Sequence, residues 1–199
     1  AQANSIVQQF RGRIIYSGGD DVLALFPVDS VLTAANQIQS NFNHKLEEAG
    51  FSDMHMSAGI SVAHYGQPLQ LAIAAAREAE GEAKSICRRN ALVIHVAKRS
   101  GESRKAGLKW NSPGGTPAPL DTIRLFIEAV AGGQLSGKLA YDLWEELPAL
   151  ADSPDNPSSV WFQKELYRLL KRHRIDKDWK SDQELQDLAA RLSNLWDFM

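Results

Sequence analysis

Apolar and polar positions divide the chain into two kinds of territory. In the first half, short apolar runs alternate with longer stretches of helical period. Arg13–Ser17 (RIIYS) and Asp21–Val28 (DVLALFPV) read as strands. Gly18-Gly19 joins them, and both turn positions can take positive φ at little cost, so the pair predicts a hairpin. Along the second strand Val22, Ala24 and Phe26 alternate with Leu23 and Leu25. Both faces are then apolar, the pattern of a central strand. Val31, Ala34, Ala35, Ile38, Phe42 and Leu46 recur at helical spacing and predict a helix from about Ser30 to Glu48, ended by Gly50. His55–Tyr65 predicts a third strand. Pro68 opens a second helix, with Leu69, Ala72, Ile73, Ala76, Ala83, Ile86 and Cys87 facing inward. Ala91–Ala97 predicts a fourth strand, and GLKW, ending at Trp110, a short edge.

Residues 111–119, NSPGGTPAP, form the clearest linker. Beyond them only helical periods remain, at about 120–131, 136–147, 159–174 and 181–197. Ser136 and the Ser181-x-x-Glu184 pair suit N-terminal caps. Leu166, Leu169, Leu170 and His173 share one face of the third helix; Leu185, Leu188, Ala189, Leu192 and Trp196 share one face of the fourth. Four of the five tryptophans (144, 161, 179 and 196) lie in this half, which reads as a small helical bundle. The expected organisation is an α+β domain over 1–110, a linker over 111–119 and an all-α domain over 120–199.

Composition narrows the possibilities without choosing among them. The single cysteine, Cys87, excludes an internal disulfide framework and suits a reducing cytoplasm. No stretch approaches the roughly 18 apolar residues of a membrane helix, so no membrane partner is expected. The first residues, AQANSIVQQFRGR, lack the layout of a signal peptide. Net charge is −2, which makes no global demand for nucleic acid. Residues 1–110 hold twelve Lys/Arg against ten Asp/Glu, and the remainder ten against fourteen. The two halves therefore differ in sign as well as in pattern.

The chemistry is concentrated in YSGGDDVLALF, Tyr16–Phe26. Gly-Gly followed by Asp is a good turn sequence in its own right. Yet adjacent carboxylates repel, and Asp is depleted in strands. A divalent cation would remove the conflict, since Mg²⁺ favours one or two carboxylates together with substrate phosphates. The glycines leave room for a triphosphate near the backbone. Alternation puts Asp20 and Asp21 on opposite faces, so Asp20 is expected to be the stronger ligand and Asp21 a second or outer-shell one.

Strand, GGDD turn, strand, helix, SAGISVA strand, helix ending in AK, then RN and another strand: this order resembles the GGDEF and class III cyclase palm. YSGGDDVLALFPV, SAGISVAHYGQPL, REAEGEAKSICRRNALVIHVAKRSGE and GLKW are most similar to the Cas ten family, in its Cmr branch. That family supplies the large subunit of type III CRISPR effector complexes. The resemblance covers about residues 13–110; the helical tail fits by position and class. It implies a ferredoxin-like polymerase/cyclase palm with a mainly antiparallel sheet. It also implies synthesis of cyclic oligoadenylate from ATP on Mg²⁺ or Mn²⁺, triggered by target RNA. The implied partners are the other subunits of the complex, with guide RNA and target RNA.

Carried over residue by residue, the resemblance makes Asp20 and Asp21 catalytic metal ligands and puts Ser17, Gly18 and Gly19 beside the nucleotide. It sends Lys84, the Lys of AK, and an arginine one turn later to the triphosphate. The spacing before RN is one residue longer here, so Arg88 and Arg89 compete; helical phase, about 40° from Lys84, favours Arg88. A complete palm draws another carboxylate from a strand one helix earlier, for which Asp29 and Asp53 are badly placed. The first β-α unit is therefore expected to be absent and the isolated chain inactive.

Two rivals stand beside this reading. A GGDEF-type diguanylate cyclase normally carries an acidic residue and then an aromatic after GG-acid, where Val22 stands here. A non-catalytic scaffold of a ribonucleoprotein needs no intact site at all. Blander roles are also expected: strand-end packing for His64 and Tyr65, ahead of a place bordering the nucleotide pocket, a packed histidine at 173 and a core Cys87. Solvated surfaces are expected for Lys98, Arg99, Arg104, Lys105 and Lys109 and for Lys171, Arg172 and Arg174, with contact to RNA phosphates as the alternative.

Overall fold

A computed structural model describes residues 2–19, 21–51, 53–111, 118–151 and 160–196. The chain forms two compact units, Ala1–Trp110 and Asn111–Met199. In the first, helix α1 (Gln2–Gln9) buries Ile6 and Val7, an element the apolar pattern did not reveal. Strands β1 (Arg13–Gly18) and β2 (Asp21–Leu25) pair antiparallel, with Gly18 opposite Asp21 and Ser17 opposite Val22. Helix α2 (Val31–Glu48) follows, ending where Gly50 takes a φ of 84°. Strand β3 (Ala58–Val62), helix α3 (Leu69–Ser85), strand β4 (Ala91–Ala97) and strand β5 (Ser103–Lys109) complete the unit. The sheet order is β3-β4-β5, parallel and then antiparallel; β1-β2 forms a separate two-stranded sheet. Two of the three strand pairings are antiparallel, and the α+β class follows.

Several expectations are corrected. Strand β2 stops at Leu25, not Val28, because the chain turns at Pro27, whose carbonyl accepts from the N–H groups of Ser30 (3.2 Å) and Val31 (3.1 Å). Among the described strands β2 pairs with β1 alone, so one edge of this doubly apolar strand is unpaired, and Val22 and Leu25 are exposed. Strand β3 is shorter than His55–Tyr65, and β5 longer than GLKW. Leu69 and Ile86 do not face inward: they are 50% and 71% exposed, because Leu69 is the first residue of α3 and Ile86 lies past its last turn.

Helix α3 meets the sheet through small residues. Ala79 and Ala83 are fully buried with Ala91 and Val93. Gly59 on β3 lies so close to the Ala76 carbonyl and the Glu80 amide that a Cβ there would collide with α3 backbone. That close approach fixes how far the helix, and Lys84 on it, stands from the strand.

The second unit is all-helical among its described residues: α4 (Pro119–Ala131), α5 (Lys138–Ala151), α6 (Val160–His173) and α7 (Asp182–Trp196). Its core joins Leu135, Leu139, Phe162, Leu166, Leu169, Leu170, Leu185 and Leu188. Each such side chain contributes about 1.5–3 kcal/mol on burial. Ser181 and Glu184 form a capping box: Ser181 N–H donates to Glu184 Oε2 (2.8 Å) and Glu184 N–H to Ser181 Oγ (3.3 Å). The hydrogen bond donated by the Ser181 amide, ahead of that from its hydroxyl, holds the Glu184 carboxyl below the usual range. His173 is buried and its Nε2 lies 2.8 Å from Asp142 Oδ2, a packed histidine tying α6 to α5. Trp144 and Trp161 are exposed, so the tryptophans are not uniformly core. Among the described residues no helix is long and apolar enough to cross a membrane.

Candidate nucleotide site

The β1–β2 hairpin puts Gly18 and Asp21 opposite one another across its tip. Gly19 has a φ of 63°, the left-handed region that favours glycine, and a Cβ there would meet open space. Ser17 and Asp21 are exposed on the two strands. Asp20 lies outside the described residues, so the expected opposition of Asp20 and Asp21 is not described either.

The Asp21 carboxylate has no hydrogen bond or ion pair with any described residue, yet its charge is felt at Lys84 on α3. Hairpin and helix thus lie within electrostatic reach of one another. Lys84 Nζ also makes an ion pair with Glu80 Oε1 at 2.6 Å. That hydrogen bond chiefly raises the ammonium pKa, with smaller contributions from the Glu80 and Asp21 charges and opposition from burial and Arg89. Lys84 therefore carries its charge, and a phosphate reaching it would compete with Glu80.

The helical-phase argument for Arg88 is corrected. Helix α3 ends at Ser85, and Arg88, Arg89 and Asn90 take φ values of 55°, 60° and 48°. Three successive non-glycine residues in the left-handed region are unusual, at roughly 1–2 kcal/mol each, less for Asn. Such outliers gather at functional sites. The turn is held at its entrance by the Arg89 N–H on the Ala83 carbonyl (3.0 Å). At its exit all three carbonyls are engaged from the end of β5. Lys109 Nζ donates to Arg89 O (2.7 Å) and Arg88 O (3.3 Å), and Trp110 N–H to Asn90 O (3.3 Å). Trp110 is itself 1% exposed, its indole N–H donating to Met56 O (2.9 Å). Arg88 and Arg89 are both exposed, and neither guanidinium has an ion pair among the described residues. It is Arg89 whose charge reaches Lys84.

Asp21 and Arg89 thus both act on Lys84 through their charges, a combination of carboxylate and cations suited to a polyanion carrying a divalent metal. Among the described residues no three His, Cys, Asp or Glu side chains gather to hold a metal unaided. An unpartnered carboxylate beside an open glycine turn still fits Mg²⁺ or Mn²⁺, which completes its shell with water and phosphate oxygens.

The remaining candidates fall elsewhere. Tyr65 is 96% exposed and rests against the His64 ring at 4.4 Å, so packing of both at the strand end is not what is found. They and Arg99 line a shallow dent at the C-terminal ends of β3 and β4, whereas Lys84 sits at the far end of α3. Cys87 is half-buried, and burial raises its thiol pKa. Asp29 pairs with Arg11 at 2.8 Å. Most of the first basic stretch is committed to partners: Lys98 and Arg104 to Glu102, and Lys105 to Glu78 and Glu82. In the second, Lys171 pairs with Asp182, Arg172 lies near Asp142 and Glu146, and Arg174 donates to Lys180 O. Sequence reasoning counted Lys109 among surface cations and missed its grip on the arginine turn; only its place in GLKW, beside Trp110, hinted at one.

A family model described as Cas10/Cmr2, second palm domain, matches residues 1–93. A curated relative, the CRISPR system Cmr subunit Cmr2 of Pyrococcus furiosus, is 38% identical over 111 residues, which is 55% of this chain. The aligned part is 13% of that relative's length, so the chain corresponds to a small portion of it. Residues 1–93 thus match a second palm domain of the Cas10/Cmr2 family.

Proposed function

We propose that the first unit is the nucleotidyltransferase palm of a type III CRISPR complex in the cytoplasm, joining ATP into cyclic oligoadenylate. The observation that carries the reading is the unpartnered, exposed Asp21 carboxylate beside the open Gly19 turn, with its charge felt at Lys84. Neither residue packs in a core, and both suit a metal-bound triphosphate.

Gly19 leaves the backbone open so that the nucleotide approaches the hairpin tip, with Gly18, under the Tyr16 ring, next to it and Ser17 beside the base. Asp20 and Asp21 would hold Mg²⁺ or Mn²⁺. Bound there, the cation lowers the pKa of the attacking 3′-hydroxyl and neutralises charge at the α-phosphate. Lys84 exchanges Glu80 for phosphate oxygens, and Arg88, with Arg89 beside it, steadies the departing pyrophosphate. Each charge-assisted contact contributes about 1.5–3 kcal/mol.

The test belongs in the full-length protein within its complex, with the other subunits, guide RNA and target RNA present. Asp20→Asn with Asp21→Asn should abolish oligoadenylate synthesis while assembly is retained. Turnover of ATP at a comparable rate by the double variant would refute the metal assignment. The scaffold reading draws on one observation, the Lys84–Glu80 ion pair, which occupies Lys84 without any nucleotide. Synthesis from GTP in preference to ATP would favour the diguanylate cyclase reading instead.

A further inference from the structure

We infer that Lys109 is a positioning residue for the nucleotide site: its ammonium group holds the left-handed Arg88–Arg89–Asn90 turn and thereby aims the arginines beside Lys84. The inference rests on the nucleotide reading above and adds to it a residue from a different strand.

The backbone makes the first argument. Successive non-glycine residues with φ near 50–60° are not a resting conformation of an L-peptide. Something outside the turn must favour it, and the described hydrogen bonds identify what does. All three carbonyls of the turn accept from Lys109 and Trp110, two consecutive residues at the end of β5. Trp110 is anchored in the core, so the strand end is a fixed point. Lys109 reaches from it to two carbonyls at once. Remove the ammonium group, and Arg88 and Arg89 are released toward ordinary right-handed or extended backbone.

Charge makes the second argument. Lys109 brings a cation to a segment that already carries Arg88 and Arg89, with Lys84 close by. Among the described residues Glu80 is the acid paired within this cluster, engaged with Lys84, whose ammonium also feels the unpaired Asp21. A surface cap on two carbonyls could be supplied by a neutral donor or by water. Choosing a lysine intensifies a positive field that a triphosphate would offset. The bland alternative, a solvated lysine on an edge strand, explains neither the two carbonyl contacts nor the conformation they hold.

The experiment measures ATP affinity and the kcat and KM of synthesis in the full-length protein in its complex. Lys109→Met should weaken ATP binding about tenfold and raise KM more than it lowers kcat. Lys109→Arg, which can donate to both carbonyls, should stay near the parent. Adding Asn90→Gly to Lys109→Met should recover part of the loss, because glycine adopts the left-handed conformation without a brace; a packing defect would not be repaired this way. If Asp21→Asn and Lys84→Ala weaken ATP binding but Lys109→Met does not, the positioning role is wrong and the nucleotide reading survives. If none of the three weakens it, both fall together.

Discussion

The two units solve the problem of a core in opposite ways. The helical unit buries seven leucines and Phe162 in one cluster, closes α7 with a capping box, and ties α5 to α6 through Asp142 and His173. The first unit packs α3 on its sheet through Ala79, Ala83, Ala91 and Val93. It leaves Ile15, Tyr16, Val22 and Leu25 of the hairpin exposed and carries a run of left-handed residues. Alanine and glycine contacts bury little area but permit close approach, as at Gly59, and so set distances between backbone elements. Leucine clusters bury much area and set stability. The contrast separates a unit that sets distances between its backbone elements from one built to stay folded.

Deleting residues 120–199 should have the largest effect. If the helical unit is an assembly surface, with Trp144 and Trp161 exposed on it, the truncated full-length protein should fail to co-purify with its neighbouring subunits. Normal assembly would abolish the division of labour. Next, Lys84→Ala should lower ATP affinity roughly tenfold or more, the equivalent of one charge-assisted hydrogen bond, without altering the fold. An unchanged affinity, read by isothermal titration, would return Lys84 to its ion pair with Glu80.

The smallest effect belongs to the capping box. Ser181→Ala should cost about 1 kcal/mol of helical-unit stability in a denaturant melt and leave ATP affinity alone. The same box predicts a pH response. Because the Glu184 carboxyl is lowered in the fold, its contribution is present above the ordinary carboxylate range and is lost as pH falls through the lowered value. Stability of α7 that rose on acidification would contradict the box.

Much of this architecture is legible in the sequence. Helix α2 and strand β4 lie where periodicity puts them, since each is bounded by local punctuation and presents a regular apolar face. The hairpin is legible from Gly18-Gly19. What escapes is whatever distant contacts impose. The end of α3 is invisible to helical phase because Lys109 and Trp110, about twenty residues away, hold Arg88–Asn90 left-handed. The length of β5 escapes because Ser103, Arg104 and Lys105 carry no apolar alternation; its pairing with β4 makes it a strand. The site is half legible for the same reason. GGDD and AK mark the hairpin and the lysine, whereas Lys109 looks like one cation among five.

The central claim, that the hairpin and α3 jointly hold a metal-bound nucleotide, is tested most directly by a structure of the full-length protein in its complex with ATP and Mn²⁺. The cation would be located by its anomalous scattering. Mn²⁺ is expected on the carboxylates of Asp20 and Asp21, with Lys84 moved from Glu80 to the triphosphate and Arg88 or Arg89 beside it. Nucleotide bound away from the hairpin, or Mn²⁺ bound without either aspartate while Lys84 stays on Glu80, would contradict it.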